Sequence, residues 1–534
     1  QSMPDQSTVR AALARAELVV MQEAFATTAT CAFADLLLPA STWGEKAGTV
    51  TNSERRISRV RAAVPAPGQA QHDWAIGVQL ATRLEAKLRP GLPSIFPYQR
   101  GTLDQNTESI WNEHRESTRG RDLDITGLSY GLLEERGPQQ WPYPEAANTG
   151  KPRLYADGVF PTADGRARFA AETYQAVKEA RNARFAFSLN TGRLRDQWHG
   201  MSRTGTLGRL FGHVAEPCVG LHLQDMARLG IQEGQLVAIT SKRGSLLIRA
   251  KADAQVAPTQ AFLAMHWGSE VLGGAGVAGT PASGVNALMP STHCPVSKQP
   301  ELKHAAVRIE PVTFGWQMVA QAWLPADQVE TARRALRDLF TAFEFASCVP
   351  FGSGSAIADA THASHGLLFR AASARTPAPS LIAHIQAALS FDGADTLHYA
   401  DARLGQARVI RLKTDSKGDR LVDGILLCGD TVSEAWLSAL LRQQVPVQAL
   451  GHQLLSSNTQ PRMQLKPASP QVCTCYNVTQ SRIEEVLATC QGSPVERLKA
   501  LQAMTQCGTN CGSCLPEVKR CVATLPYQNA ALAA

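Results

Sequence analysis

Two cysteine pairs near the C-terminus, Cys473-Thr-Cys475 and Cys511-Gly-Ser-Cys514, constrain what this chain can fold into more than any other feature. Four thiolates at fixed spacing ask for a metal centre, and building one requires the chain between the pairs to fold back on itself. Between them lie 35 residues with the pattern of two short amphipathic helices. Thr479 and Ser481 are placed to cap the first, Ser481-Arg-Ile-Glu484 reads as a capping box, and Ile483, Val486 and Leu487 form its apolar face. Ser493-Pro494-Val-Glu496 opens the second with an N-cap, a proline and a glutamate, and Val495, Leu498 and Leu501 give it a buried side. A compact helical hairpin of this kind sets the two pairs facing each other. Spacing alone leaves zinc and an iron–sulfur cluster both open. Residue chemistry leans towards iron: the module has no histidine, and Gly508-Thr-Asn-Cys511-Gly512 leaves backbone N–H groups free to point at sulfur.

The same residues resemble the bacterioferritin-associated-ferredoxin type of [2Fe–2S] module. Its pattern is Cys-x-Cys, thirty-odd residues, then Gly-Thr-x-Cys-Gly-x-Cys-x-Pro, and Cys473, Cys475, Cys511, Cys514 and Pro516 all match. The resemblance implies a [2Fe–2S] cluster on those four cysteines. Cys490, Cys507 and Cys521 fall outside the pattern and read as buried or spare thiols.

A chain of 534 residues is long enough for three or four domains. With 44% hydrophobic and 19% charged residues it has an ordinary globular composition. No apolar run approaches the roughly 18 residues that cross a bilayer, so no membrane partner is expected. The net charge of +7 is spread along the chain rather than gathered in a stripe, which disfavours nucleic acid. Twelve cysteines, mostly scattered, do not make a secreted disulfide framework, and a reducing cytoplasm is the expected location. Gln1 is no initiator and no signal segment precedes the first helix, so the chain reads as truncated at its start.

Residues 5–16 read as a helix, followed by strand-like runs at Leu18-Val-Val-Met21 and Leu36-Leu-Leu38-Pro39, a glycine-punctuated loop over Gly44–Thr49, and a helix from Asp73 to about Leu88. Strand–loop–helix order predicts part of a doubly wound α/β domain, in which ligands bind beyond the carboxyl ends of the strands. Lys46, Asn52, Arg55 and Arg56 crowd one loop and are equally readable as solvated surface charge. The run Phe33-Ala-Asp35 to Pro39, with Trp43-Gly-Glu45-Lys46-Ala-Gly48-Thr49 and Asn52-Ser-Glu54-Arg55-Arg56, resembles the dinucleotide pocket of the molybdenum bis(molybdopterin guanine dinucleotide) oxidoreductases, the family of nitrate reductase, formate dehydrogenase and dimethyl sulfoxide reductase. The resemblance implies that Gln22, Glu23, Lys46 and Asp73 meet a guanine dinucleotide arm. A carboxylate suits the guanine N–H edge and a lysine suits pyrophosphate; as plain structure, Asp73 would be a helix cap and Glu23 a strand-end carboxylate.

Residues 100–184 are rich in Gly, Pro, Asn and charge and read as a long connector. From Phe185 to about Val312 short strands and turns predict a small β-barrel, with a hairpin at Lys242-Arg-Gly244. Near its entry the loop Thr191-Gly192-Arg193-Leu194-Arg195-Asp196-Gln197-Trp198-His199-Gly200 combines hydroxyl, guanidinium and imidazole groups suited to a phosphate-bearing ligand. This loop closely resembles the molybdopterin loop of nitrate reductases. Val285-Asn286-Ala-Leu288 and Pro295 to Lys303 resemble the same domain's closing motif, which implies that Asn286 and Lys303 complete the pterin site. Cys294 stands where that family usually has aspartate. Met265-His266-Trp267-Gly268 lies where assimilatory nitrate reductases line the route to molybdenum, with aromatic packing an equally good account.

Residues 313–465 read as a mixed α/β spacer, with an amphipathic helix over Val329–Phe343 and a buried strand ending at Asp430 whose Gly-Asp close is similar to flavoprotein domains and also to simple helix capping. The expected fold is therefore multidomain: a partial doubly wound α/β domain (1–110), a connector (111–184), a molybdopterin-dinucleotide-binding β-barrel (185–312), a mixed α/β spacer (313–465) and a small helical [2Fe–2S] domain (470–526). The combined resemblance is to the C-terminal portion of an assimilatory nitrate reductase catalytic subunit. It implies molybdenum-bis(molybdopterin guanine dinucleotide), a [2Fe–2S] cluster, and a [4Fe–4S] cluster expected in a missing N-terminal half. The implied partners are nitrate and an electron donor, either a reductase subunit or a ferredoxin or flavodoxin. With no molybdenum ligand identifiable, no catalytic residue is named. A formate dehydrogenase, or an electron-transfer or docking protein without catalysis, is the competing reading.

Overall fold

The computed structural model describes residues 3–98, 101–171, 173–277, 284–301, 303–353, 364–457, 465 and 469–525. It divides into two compact units, Leu13–Gln175 and the combination of Gln1–Ala12 with Ala176–Ala534. The opening helix α1 spans Gln6–Arg15.

In the Leu13–Gln175 unit, β1 (Val20–Glu23) and β2 (Leu36–Pro39) pair in parallel, with Glu23 opposite Pro39. The first strand thus lies two residues later than the Leu18–Met21 run. The expected doubly wound sheet amounts, among the described residues, to this one parallel pair. The remaining strands, β3 (Gly48–Thr51), β4 (Arg56–Val60) and β5 (Gln139–Gln140), form an antiparallel sheet. The charged loop predicted here is in fact the turn of a hairpin. Asn52 Oδ1 accepts the N–H groups of Glu54 and Arg56 at 2.9 Å, and Arg55 takes φ +65°, an Asx-type turn that reverses the chain tightly. Helix α2 covers Asp73–Leu88, as its apolar pattern predicts.

The stretch read as a featureless connector carries α3 (Leu103–Glu116) and α4 (Tyr130–Arg136). A full capping box starts α3, Thr102 accepting from Gln105 N–H while the Gln105 side chain returns to the Thr102 N–H. Its support is tertiary: Trp111, Ile125, Leu128, Tyr130, Leu133 and Tyr143 close a small aromatic core with Ile57. Few apolar residues, widely spaced, suffice when several are aromatic.

The second unit opens with β6 (Phe187–Gly192) and β7 (Cys218–Leu221), then α5 (Leu223–Leu229), β8 (Leu236–Thr240), β9 (Ser245–Ala252), β10 (Gln260–Ala264), the short β11 (Leu272–Gly273) and β12 (His304–Pro311). Six of these close a barrel in the order β10-β6-β12-β8-β9-β7. Then come β13 (Trp316–Leu324), α6 (Val329–Asp338), β14 (Phe345–Ser353), β15 (Ser364–Ser373), α7 (Pro379–Ala388), β16 (Thr396–Asp401), β17 (Gln406–Thr414), β18 (Arg420–Cys428) and α8 (Glu434–Gln443). The strands form a seven-stranded sheet, β11-β14-β15-β13-β18-β17-β16, antiparallel at every pairing. One face shares a continuous core with the barrel and α8, through Val319, Trp323, Leu368, Trp436 and Leu437. The other is covered by α6 and α7, through Leu336, Phe369 and Ile385. Helix α6 stops at Asp338 and continues as a tighter turn over Phe340–Ala342, shorter than the predicted Val329–Phe343. Asp430 caps the turn before α8, accepting Val432 N–H at 2.9 Å, and pairs with buried Arg408 at 2.7 Å.

The C-terminal module contains β19 (Gln471–Cys473), β20 (Val478–Thr479), α9 (Gln480–Thr489), α10 (Pro494–Thr505) and α11 (Leu515–Thr524). Thr479, not Ser481, caps α9, accepting Arg482 N–H. The Ser493–Glu496 capping box of α10 forms on both sides. Pro526, the last residue of the expected module, lies outside the described residues.

Candidate functional site

In the Leu13–Gln175 unit, three of the four residues expected at the dinucleotide arm converge. Asp73, at the start of α2, accepts from Gln22 Nε2 at 2.8 Å and pairs with the Lys46 ammonium. Burial alone would raise its carboxyl pKa, but the hydrogen bonds from Lys46 and Gln22 outweigh that and hold it below the usual range. Glu23 stands apart, its carboxylate folded back on the Ala24 N–H at 2.8 Å. His72, next to Asp73, shares a 3.1 Å hydrogen bond with the Ser41 hydroxyl.

In the second unit the loop after β6 leaves the barrel between Gly192 and Gly200. A Cβ at Gly192 would meet the Phe262 ring at 2.8 Å, so glycine lets the ring pack against the end of the strand without shifting. Thr191 N–H meets the Lys303 carbonyl at 3.4 Å, which brings the closing motif beside the start of the loop. His266 is fully buried and bolts the loop at two points: Nε2 accepts Leu194 N–H at 3.0 Å and Nδ1 donates to the His199 carbonyl at 2.6 Å. This pairing fixes the neutral Nδ1–H tautomer, and burial, with the nearby Arg193 charge, lowers the His266 pKa below 6.5. Trp267 O accepts Val285 N–H at 3.1 Å, tying the turn that carries Asn286 to the same bolt. Asn286 itself donates to the Met3 carbonyl at 3.2 Å.

Within the loop, Arg193 lies over the exposed Trp198 ring, 5.0 Å from its centroid, and Trp198 meets His199 edge-on at 4.6 Å. His199 and Met201, either side of Gly200, take positive φ of 43° and 60°, a sharply folded segment of the kind found at ligand clamps. Gln197 is buried with Nε2 on the Leu210 carbonyl, while its Oε1 and the Trp267 Nε1 have no hydrogen-bond partner among the described residues. Unsatisfied buried polar atoms beside a folded, arginine-bearing loop fit a hydrogen-bonding organic cofactor. Arg195 and Asp196 behave differently. They form a bidentate pair at 3.2 and 3.0 Å, and both also reach the C-terminal module: Arg195 Nη1 to Glu517 at 3.0 Å, and Asp196 to the Thr474 hydroxyl at 2.8 Å.

In that module the sulfurs lie in two groups. Cys473, Cys507 and Cys514 lie within 4.8 Å of one another, all buried, and Cys475 Sγ is 3.3 Å from Cys511 Sγ on the more exposed side. Cys507, read from the sequence as a buried or spare thiol, is buried and stands in the first group; four residues ahead of Cys511, it follows the turn that ends α10. Its thiol, hydrogen-bonded to Cys473, holds Cys473 down at about 5 and is itself pushed up. Gly508 and Gly512 both take positive φ, 80° and 73°, the conformation that turns successive N–H groups inward. An all-sulfur donor set with such turns fits a soft metal centre, iron–sulfur or zinc. Cys490 is buried in the module's core and Cys521 half-buried beside it.

Comparison with known proteins matches two segments. Residues 187–306 match the Molydopterin dinucleotide binding domain, and residues 1–83 match Molybdopterin oxidoreductase. These two segments are thus similar to domains of the molybdopterin oxidoreductases. The chain is 30% identical to a nitrate reductase of Klebsiella oxytoca over 98% of its own length and 54% of that protein. Identity to a nitrate reductase of a Synechocystis species is 36%, over 58% of this chain and 41% of the relative. An F420-dependent formate dehydrogenase alpha subunit of Methanocaldococcus jannaschii is 32% identical over the same 58% and 41%. The chain thus spans about half the length of the curated relatives it matches. Among the described residues no helix is long and apolar enough to cross a membrane.

Proposed function

We propose that this chain supplies the C-terminal part of a molybdenum-dependent, cytoplasmic assimilatory nitrate reductase. The reaction is NO3− + 2e− + 2H+ → NO2− + H2O, with electrons entering at the C-terminal cysteine module. The observation that carries the choice is how far each similarity extends. Nitrate reductases of Klebsiella oxytoca and Shewanella frigidimarina match over 98% and 97% of the chain, a span that takes in the seven-stranded sheet and the cysteine module, whereas the formate dehydrogenase match, like that of the Synechocystis nitrate reductase, covers 58%. In this reading Arg193, Gln197, Trp198, His199 and Asn286 bind and orient the pterin, and Lys303 closes its site. Thr191, Gly192, Leu194 and Gly200 shape the loop, and His266 keeps it in place. Lys46, Gln22 and Asp73, which satisfy one another in the structure, turn to the dinucleotide, the ammonium to pyrophosphate and the carboxylate to the guanine N–H edge, with Glu23 nearby. The bound cofactor supplies the metal at which oxygen leaves nitrate. Cys473, Cys475, Cys511 and Cys514 hold a [2Fe–2S] cluster, and a [4Fe–4S] cluster and the metal's protein ligand belong to sequence outside this chain.

Two measurements test the reading. Anaerobically purified chain should carry about two irons and two acid-labile sulfides, with a rhombic S = 1/2 resonance after dithionite; zinc, or no metal after reconstitution, would remove the electron port. The complete enzyme with reduced viologen should consume nitrate, and formate-dependent dye reduction in its place would overturn the substrate.

A further inference from the structure

The cysteine module and the loop after β6 are more than 270 residues apart in sequence, yet they meet through a built contact. Thr474, the residue between Cys473 and Cys475, donates its hydroxyl to Asp196 at 2.8 Å. Glu517, in the first turn of α11 just after Cys514, accepts from Arg195 at 3.0 Å and lies 3.8 Å from His213. Asp196 and Arg195 hold each other, so the two bridges form one chain of charge-assisted hydrogen bonds. The Gln471 side chain also packs closely on the Gly212 backbone here: a Cβ on Gly212 would sit 2.1 Å from Gln471 Oε1. Around the sulfur set the environment is asymmetric. Cys473 and Cys514 are buried, whereas Cys511 is exposed and Cys475 partly so.

Resting on the electron-port reading above, we infer that the module is latched to the cofactor loop by Thr474–Asp196 and Glu517–Arg195, which gives its centre a fixed polarity. With the cluster bound, electrons would enter at the exposed Cys475/Cys511 side and leave at the buried Cys473/Cys514 side towards the cofactor. Arg195 and Asp196 therefore act as positioning residues that join two redox elements, in place of direct ligands to the pterin. With the cluster bound, each passage would take one electron from the tail centre to the cofactor side, and a one-electron donor of the ferredoxin or flavodoxin class would restore it at the exposed face. Two passages and two protons account for one nitrate.

The test uses variants on the module side, Thr474→Val, Thr474→Ser and Glu517→Gln. Iron per chain should be unchanged in all three. In the cofactor-loaded enzyme, reoxidation of the pre-reduced tail centre by nitrate, followed by freeze-quench paramagnetic resonance, should slow about tenfold or more in Thr474→Val and Glu517→Gln. Thr474→Ser, which keeps the hydroxyl, should behave as wild type. In the chain without cofactor, amide exchange over residues 193–200 should rise about tenfold in the same two variants and not in Thr474→Ser. Iron retained with reoxidation and exchange unchanged in every variant would sink the latch while leaving the port reading intact. Wild-type chain that binds no iron would take down both.

Discussion

His266 has both ring nitrogens committed to main-chain groups of one loop, so its contribution is a matter of protonation as well as packing. Replacing it by Ala leaves the Leu194 N–H and the His199 carbonyl without partners, and urea unfolding should show a loss of about 2–4 kcal/mol. Burial lowers its pKa first, with Arg193 and His199 adding to that and the His199 carbonyl opposing it. A folded value below the unfolded 6.5 means that the unfolded chain takes up the proton first as pH falls. The stability His266 gives is complete above about pH 6.5 and declines as pH drops through that value towards the folded one. Thermal unfolding of wild type against His266→Gln should show a steeper loss below pH 6.5 in wild type; parallel curves would refute the assignment. The sequence offered Met265-His266-Trp267 as a lining segment or as packing, and could not show a histidine facing two carbonyl-and-amide partners about seventy positions back. Cys507, read as a buried or spare thiol, is buried as read; that it lies beside Cys473 and Cys514 depends on how the turn after α10 folds, which no spacing rule encodes.

Elements announced by local chemistry were legible, and those held by distant packing were not. The Ser493–Glu496 box and the Thr479 cap come from neighbouring residues, and α10 and α9 start where such residues permit. Ser493→Ala should cost about 1 kcal/mol and lower the melting temperature of the C-terminal module. Helix α3, by contrast, is supported by Trp111 against Tyr130 from the next helix, so a charged, weakly periodic segment looked like a connector. Between elements the most exposed to mutation is the Arg370 clamp. From β15 this buried guanidinium meets Glu216, just ahead of β7, at 2.6 Å and Glu434 of α8 at 2.9 Å, joining barrel, sheet and helix. Arg370→Ala strands two part-buried carboxylates and should destabilise the second unit by about 3–5 kcal/mol in denaturant titration. A simultaneous change of Glu216 and Glu434 to Gln should recover part of that loss, because the stranded charge is then gone.

At the scale of the whole molecule, the barrel was readable because its strands alternate and turn within a few residues, and the two strand-like runs of the partial α/β domain do pair in parallel, though such runs do not reveal how many further partners they find. Val20 on β1 and Leu36 and Leu37 on β2 are exposed. So are Leu80, Leu84 and Leu88, which fall at four-residue intervals and line one face of α2. An apolar stripe and an open strand pair facing water attract any similar surface that comes within reach, including another copy of the same chain. Light scattering should show association that grows with protein concentration, and Leu84→Glu with Leu88→Glu should suppress it without altering iron content. If scattering shows that association, concentration becomes a hidden axis in every experiment on this chain: a titration, a melting curve or a spectrum taken at one dilution would report a mixture whose composition the next dilution changes.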